Sequence, residues 1–200
     1  TNNDATANRS RTVSWTVTDA NSDGLGAQTS TAVTSSIAVT AVNDTPITTA
    51  GANSASYTEN GAAIVIDNTF TITDIDDTQI ASATVSISAG FTSGDILGFT
   101  TQNGISGSYD ASTGVLTLTG TATLAQYRTA LRSVTYRSTS DDPTATSASR
   151  TVSWTVTDAN SDNVGAQSST TVTSSITITA VNDKPVVTAG ANLAYTENGS

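Results

Sequence analysis

Twelve residues, TVSWTVTDANSD, occur twice without a change, at residues 12–23 and again at 151–162. The match runs on through TSSIAVTAVNDTP (34–46) and TSSITITAVNDKP (173–185), with Thr12 and Thr151 setting an offset of 139 residues. YTENG recurs at Tyr57 and Tyr195, an offset of 138. A period this long exceeds the ~20–50 residues of a solenoid turn and suits a self-contained domain. The Val-Asn-Asp-x-Pro segment is the natural joint. Cutting there gives the C-terminal part of one unit (1–44), one complete unit (45–183) and the start of a third (184–200).

Within the unit, apolar residues alternate with polar ones. Val13, Trp15 and Val17 face one way while Thr12, Ser14, Thr16 and Thr18 face the other. Val33, Ile37 and Val39 repeat the pattern, as do Phe70 and Ile72, Val85 and Ile87, and Leu116 and Leu118. β-Branched Thr on the outer face suits a pleated, half-buried strand. Turn signals punctuate the strands at Glu59-Asn60-Gly61, Asp76-Asp77, Asn103-Gly104 and Asp141-Asp142-Pro143. Short strands spaced in this way predict an all-β sandwich. One segment departs from the period. Thr123 and Gln126 have capping-box spacing, and Leu124, Tyr127 and Leu131 follow at helical intervals, so one short helix of ~10 residues is expected, packing a stripe inward.

Composition closes several routes to function. The chain has no Cys and no His, which removes disulfides, thiolate metal sites, imidazole bases and a Ser-His-Asp triad. Its net charge of −10 argues against nucleic acid as a partner, because phosphate binding needs clustered Lys and Arg. No apolar run approaches the ~20 residues of a membrane span, and the start at Thr1 shows no signal-peptide pattern. Only two residues are Glu, Glu59 and Glu197, copies of one repeat position, so a two-carboxylate glycosidase is not indicated and the chain does not read as an enzyme.

Nearly all the acids, Asp95 among them, gather in candidate turns, and in a sandwich the turns gather at the two poles. Like charges a few Å apart at a joint between units repel unless screened or bridged. A hard divalent cation such as Ca2+ takes oxygen ligands only, which is what the chain supplies. Asp74-x-Asp76, Asp158-x-Asn160-x-Asp162 and Asn43-Asp44 each present nearby oxygens from one turn. The alternative is that Asp and Asn are there as good turn formers.

YTENG, the TDID of residues 73–76, the TVTDAN of 155–160 and the AVNDKP of 180–185 resemble, in order, motifs of the cadherin repeat. These are its acidic A-strand motif, DxD motif, F-strand-end Asp and Asn-Asp-x-Pro linker. The unit is more closely similar to the cadherin-like extender repeats of very large bacterial surface proteins of the RTX-adhesin type. It departs from that pattern in a surplus between about residues 88 and 131. It also lacks a Leu-Asp-Arg-Glu motif, where Asp141 and Asp142 stand instead, and the full linker string. The resemblance implies a cadherin/Ig-like sandwich in tandem, with Ca2+ at the joints. Carried over, Asn43, Asp44, Asp74, Asp76 and Asp158 would form the first joint, helped by Asn3 or Asp4. Glu59, Asp141 and Asp142 would meet Asn182 and Asp183 at the second.

The resemblance further implies an extracellular spacer, on a cell surface or secreted, supporting adhesion or biofilm formation. Its partners would be neighbouring repeats of the same chain, with other copies in a fibre or a surface glycan as further candidates. Two alternatives stay open. The surplus segment, with Phe91, Phe99 and Tyr109, would form a carbohydrate-binding surface unless those rings pack into the core. Or the Thr- and Ser-rich faces (68 such residues) would hold a fibre together by lateral or end-to-end β contacts without calcium, or carry O-glycans.

Overall fold

The computed structural model describes residues 9–51, 54–161, 163–190 and Glu197. The elements from Ile47 to Thr179 form an all-β sandwich with one short helix, as the alternation and the capping-box segment predict. One layer is a six-stranded sheet in the order β4-β13-β12-β7-β10-β9. Its strands are β4 (Ala55–Thr58), β7 (Gln79–Ala89), β9 (Ser106–Asp110), β10 (Val115–Thr123), β12 (Ser149–Asp158) and β13 (Val172–Thr179). The opposing layer combines β5 (Ile64–Val65), β11 (Thr135–Ser138) and β8 (Asp95–Gly98) with the pair β3 (Ile47–Thr49) and β6 (Thr71–Thr73). The first long-sheet strand, β4, pairs parallel with the last, β13, from Ala55↔Ile176 to Thr58↔Thr179. The first strand of the long sheet thus closes on its last.

β12 shows why the sequence folds this way. Arg150, Val152, Trp154, Val156 and Asp158 are all buried, while the residues between them are half-buried on the opposite face. Trp154 lies 5.2 Å from Phe70 of the facing layer, ring centroid to centroid, and Tyr57 meets Tyr136 edge-on at the same separation. Ile80, Val85, Leu116, Leu118, Tyr127 and Leu131 complete a continuous core.

The surplus segment builds onto both layers. β8 joins the short layer, and β9 and β10 extend the long sheet beyond β7. Asn103 and Gly104, both at positive φ, make the tight turn that closes the Gln102↔Ile105 bridge. From β10 the chain enters α1 (Leu124–Arg132), capped as expected: Thr123 accepts from the Gln126 N–H, and the Gln126 side chain accepts from the Thr123 N–H. Tyr127, Ala130 and Leu131 face inward. Phe91, Phe99 and Tyr109 are partly buried and packed against the core.

The first copy of the repeated segment forms a strand pair of its own. β1 (Ser10–Trp15) and β2 (Val33–Ala38) run antiparallel, with Trp15 opposite Val33, as Trp154 is opposite Val172 in the second copy. Trp15 is 56 % exposed and Trp154 fully buried. Val17 and Ile37 are likewise exposed where Val156 and Ile176 are buried. The sequence makes the same pair twice, and one of the two has a core to cover it.

Candidate functional site

The pole at which β12 ends draws four segments together: the linker at 43–44, the turn after β6, the end of β12 and the loop that follows it. Asp74 opens the turn, its Oδ1 accepting the N–H groups of Asp76 (3.2 Å) and Asp77 (3.0 Å). Asp76 then accepts the Asp44 N–H (2.9 Å), which ties the linker to the turn. Asn43 Nδ2 donates to Asp158 Oδ2 (3.1 Å) and to the Gly165 carbonyl. Asp77 accepts the Ser161 N–H (3.0 Å). The five residues assigned to the first joint therefore do come together, and Asp77 joins them. In the sequence Asp77 carries no signal beyond its place in a turn.

Asp158 differs from the rest in its bonding. Its oxygens accept from the Asn160 and Gln167 N–H groups as well as from Asn43. Asp19, at the same repeat position, accepts from Asn21 and Gln28 in the same manner. The turn-forming role is thus built into both copies.

Asn43 and three of the other acids each keep one oxygen without a partner. Asn43 Oδ1, Asp74 Oδ2, Asp76 Oδ1 and Asp77 Oδ2 are buried and make no hydrogen bond. Asp76 and Asp77 are 8 % and 3 % exposed. Burial pushes the Asp74 carboxyl up to about 6; the Asp77 N–H opposes the rise and the neighbouring Asp76 carboxylate adds to it. Leaving buried carboxylate oxygens unpaired is costly, and a hard cation is the partner that such a set of oxygens fits. Among the described residues, however, no group of three or more His, Cys, Asp or Glu side chains is arranged to hold a metal ion. The donor chemistry suits Ca2+; the arrangement is not a ready cage.

A cleft of about 530 Å³ opens beside this cluster, lined by Asp44, Thr45, Ile47, Thr73, Asp74 and Ile75. Ile47 and Ile75 stand exposed there.

At the opposite pole Glu59 is buried, its Oε2 accepting the Val181 N–H (2.7 Å) and its Oε1 unpartnered. This places it against the second linker, next to Asn182 and Asp183, both exposed. Asp141 and Asp142 are exposed in the loop after β11, where Asp142 bonds locally to Ser140 and Thr144. Asn3, Asp4 and Asp162 lie outside the described residues.

Two buried acids are structural. Asp67 accepts from the Gly51 and Thr69 N–H groups and from the Thr69 and Ser174 hydroxyls, and Ser174 in turn accepts from Trp154 Nε1. Burial works to raise the Asp67 carboxyl, but these hydrogen bonds hold it below the usual range. Asp95, which the sequence places among the turn acids, is instead in a buried ion pair with Arg150.

No family model matches the chain. Over 112 residues, 53 % of the chain, it is 39 % identical to halomucin of Haloquadratum walsbyi (strain DSM 16790 / HBSQ001). The chain spans about 1 % of that relative's length. Among solved structures it is similar to a protocadherin gammaB7 EC3-6 cis-dimer structure, at 16 % identity and a TM-score of 0.42, covering 88 % of this chain and 34 % of that one. It is also similar to protocadherin gamma B2 extracellular cadherin domains 1-5, at 15 % identity and a TM-score of 0.39, covering 90 % and 28 %. Among the described residues no helix is long and apolar enough to cross a membrane.

Proposed function

We propose that the unit of residues 45–183 is a structural spacer: a non-catalytic β-sandwich repeat joined in series to others like it in a large extracellular surface protein. The observation that carries this reading is the contrast between Trp15 and Trp154, the same residue of the same strand pair, open in one copy and fully buried in the other. A strand pair that carries core residues and recurs at a domain-length offset belongs to a repeated sandwich, here divided at the joints into 1–44, 45–183 and 184–200. The likeness to halomucin, a far longer protein, supports a place within a large protein. The packing of Phe91, Phe99 and Tyr109 against the core favours a spacer over a carbohydrate-binding module, because aromatic platforms are then not free to stack on sugars.

Single-molecule pulling on an array of these units tests it. Independent modules in series unfold in a sawtooth of uniform steps, each releasing ~3.3–3.6 Å per residue of one repeat. A smooth extension, or steps unrelated to the repeat length, would sink the spacer reading.

A second reading concerns the poles, and the unpartnered oxygens of Asn43, Asp74, Asp76 and Asp77 favour it. A divalent cation, Ca2+ by donor type, would be held there with Asp44 and Asp158 alongside, and a matching one by Glu59, Asp141 and Asp142 with Asn182 and Asp183. It would supply positive charge between the acidic poles. Asn43, Asp44, Asp76 and Asp158 orient the first linker through the Asp44–Asp76 and Asn43–Asp158 bonds.

A further inference from the structure

The outer face of the six-stranded sheet is a lattice of hydroxyls. Thr155 of β12, Thr84 of β7, Thr117 of β10 and Ser108 of β9 stand opposite one another in a single row across four strands. The next row, running from Thr157 to Ser106, repeats the arrangement. Strand pairing sets about 4.8 Å between neighbours within a row, and the two-residue repeat sets about 6.7 Å between rows. Thr84, Thr117 and Ser108 are exposed, and none of these three hydroxyls is engaged in a side-chain hydrogen bond. Among the described residues of the strands, the face carries one charge, Asp110 at the end of β9.

We propose that this face is a lateral contact between copies of the chain, two hydroxyl faces packing together. Charge argues for that occupant. At a net −10, two copies repel wherever their carboxylates meet. The hydroxyl face is nearly uncharged and complementary to itself, since each Ser and Thr both donates and accepts. Area argues for it too. Six strands at ~4.8 Å spacing, about eight residues long, offer about 600 Å² per copy, so a pair buries about 1,200 Å², the lower end of specific interfaces. Such a contact is weak for one unit and strong for an array, because linked units multiply the effect. The proposal names the lateral partner of the spacer and so rests on that reading. It fails separately from it, because a monomer would leave the serial sawtooth intact.

Sedimentation equilibrium on the full 200-residue chain tests it, in EGTA and across a range of NaCl. The weight-average mass rises from 20.2 kDa toward twice that as protein concentration rises, and more so in high salt, where repulsion is screened. The pair Thr84→Glu and Ser108→Glu, exposed positions of the same row with β10 between them, abolishes the rise and leaves the urea midpoint near its original value. Ser112→Glu, an exposed hydroxyl in the turn after β9, leaves the rise in place. The rise also survives Trp15→Ser, which removes the largest open apolar side chain of the β1–β2 pair. A chain that stays monomeric at millimolar concentration in high salt overturns the proposal. Association lost with Trp15→Ser alone overturns it by assigning the contact to the β1–β2 pair. A monomer that binds a soluble β-glucan, and ceases to do so with the two Glu substitutions, overturns it in favour of a glycan surface.

Discussion

Arg150 Nε donates to Asp95 Oδ2 at 2.6 Å, with neither side chain accessible to solvent. Arg150 Nη2 also reaches Asp95 Oδ1, Thr92 Oγ1 and the Pro143 carbonyl, and Tyr136 donates its hydroxyl to Asp95 Oδ1 at 2.6 Å. The pair fastens one end of β12 to the start of β8 in the opposite layer. Every group in the cage is satisfied, which is the condition under which a buried pair is tolerated.

Removing one partner leaves the other charge buried alone. Arg150→Ala is therefore expected to lower unfolding stability by about 3–5 kcal/mol, and replacing both residues by apolar ones of similar volume to recover much of that loss. Arg11→Ala, at the same repeat position but in the open β1–β2 pair, is expected to cost far less. Urea unfolding of the three variants is the measurement.

This pair marks the limit of what can be read from the chain alone. The alternation in β12 predicts that Val152, Trp154 and Val156 face inward, and they do. The spacing of Thr123 and Gln126 predicts the helix start, and the cap forms there. Both are local patterns. Asp95 and Arg150 are 55 residues apart, and nothing in the neighbourhood of either names the other, so Asp95 reads as one more turn acid. Nor does anything near Asp67 name its partners Gly51 and Ser174, which come from distant segments. At the pole, the DxD and linker motifs bring Asn43, Asp44, Asp74, Asp76 and Asp158 to attention. Which of their oxygens turn-forming N–H groups occupy depends on three-dimensional geometry, and Asp158 proves the most fully engaged.

Thr123→Ala removes the side-chain half of the capping box. The expected cost is about 1 kcal/mol, because α1 carries Tyr127 and Leu131 into the core and fraying its first turn loosens their seat. Thr121→Ala, an exposed position just before the cap, is the control. Thermal and urea unfolding both read it.

Asp74 gives a pH dependence with a definite sign. Its folded value, about 6, lies above its ordinary 3.8, so the fold binds a proton that the unfolded chain releases. The stabilisation is fully present below about pH 3.8 and is lost as pH rises through about 6. Asp74→Asn stays neutral throughout and keeps an oxygen for the Asp76 and Asp77 N–H groups. In EGTA it is expected to melt above the native protein at pH 7.5, with the two curves converging near pH 4.

The cation reading predicts the reverse order when calcium is supplied. For an extracellular-type site with Kd ~10⁻⁴–10⁻³ M, ~10 mM CaCl2 stabilises the native chain by about 1–3 kcal/mol. Asp74→Asn and Asp76→Asn lose most of that gain, and MgCl2 gives less of it. Melting temperatures unmoved by CaCl2 would return these acids to the role of turn formers.

The account stands on each unit closing its own core around the repeated strand pair, and Trp15 reports on that most directly. Placing residues 45–148 ahead of Ser10 would give the β1–β2 pair the same frame that covers β12 and β13. With Trp154 replaced by Phe, Trp15 becomes the sole indole of this two-unit chain, and acrylamide quenching measures its access to solvent. Protection equal to that of Trp154 in the original chain, where it is fully buried, is the predicted result. A Trp15 that remains as open to acrylamide as its present 56 % exposure implies would contradict the tandem-repeat account.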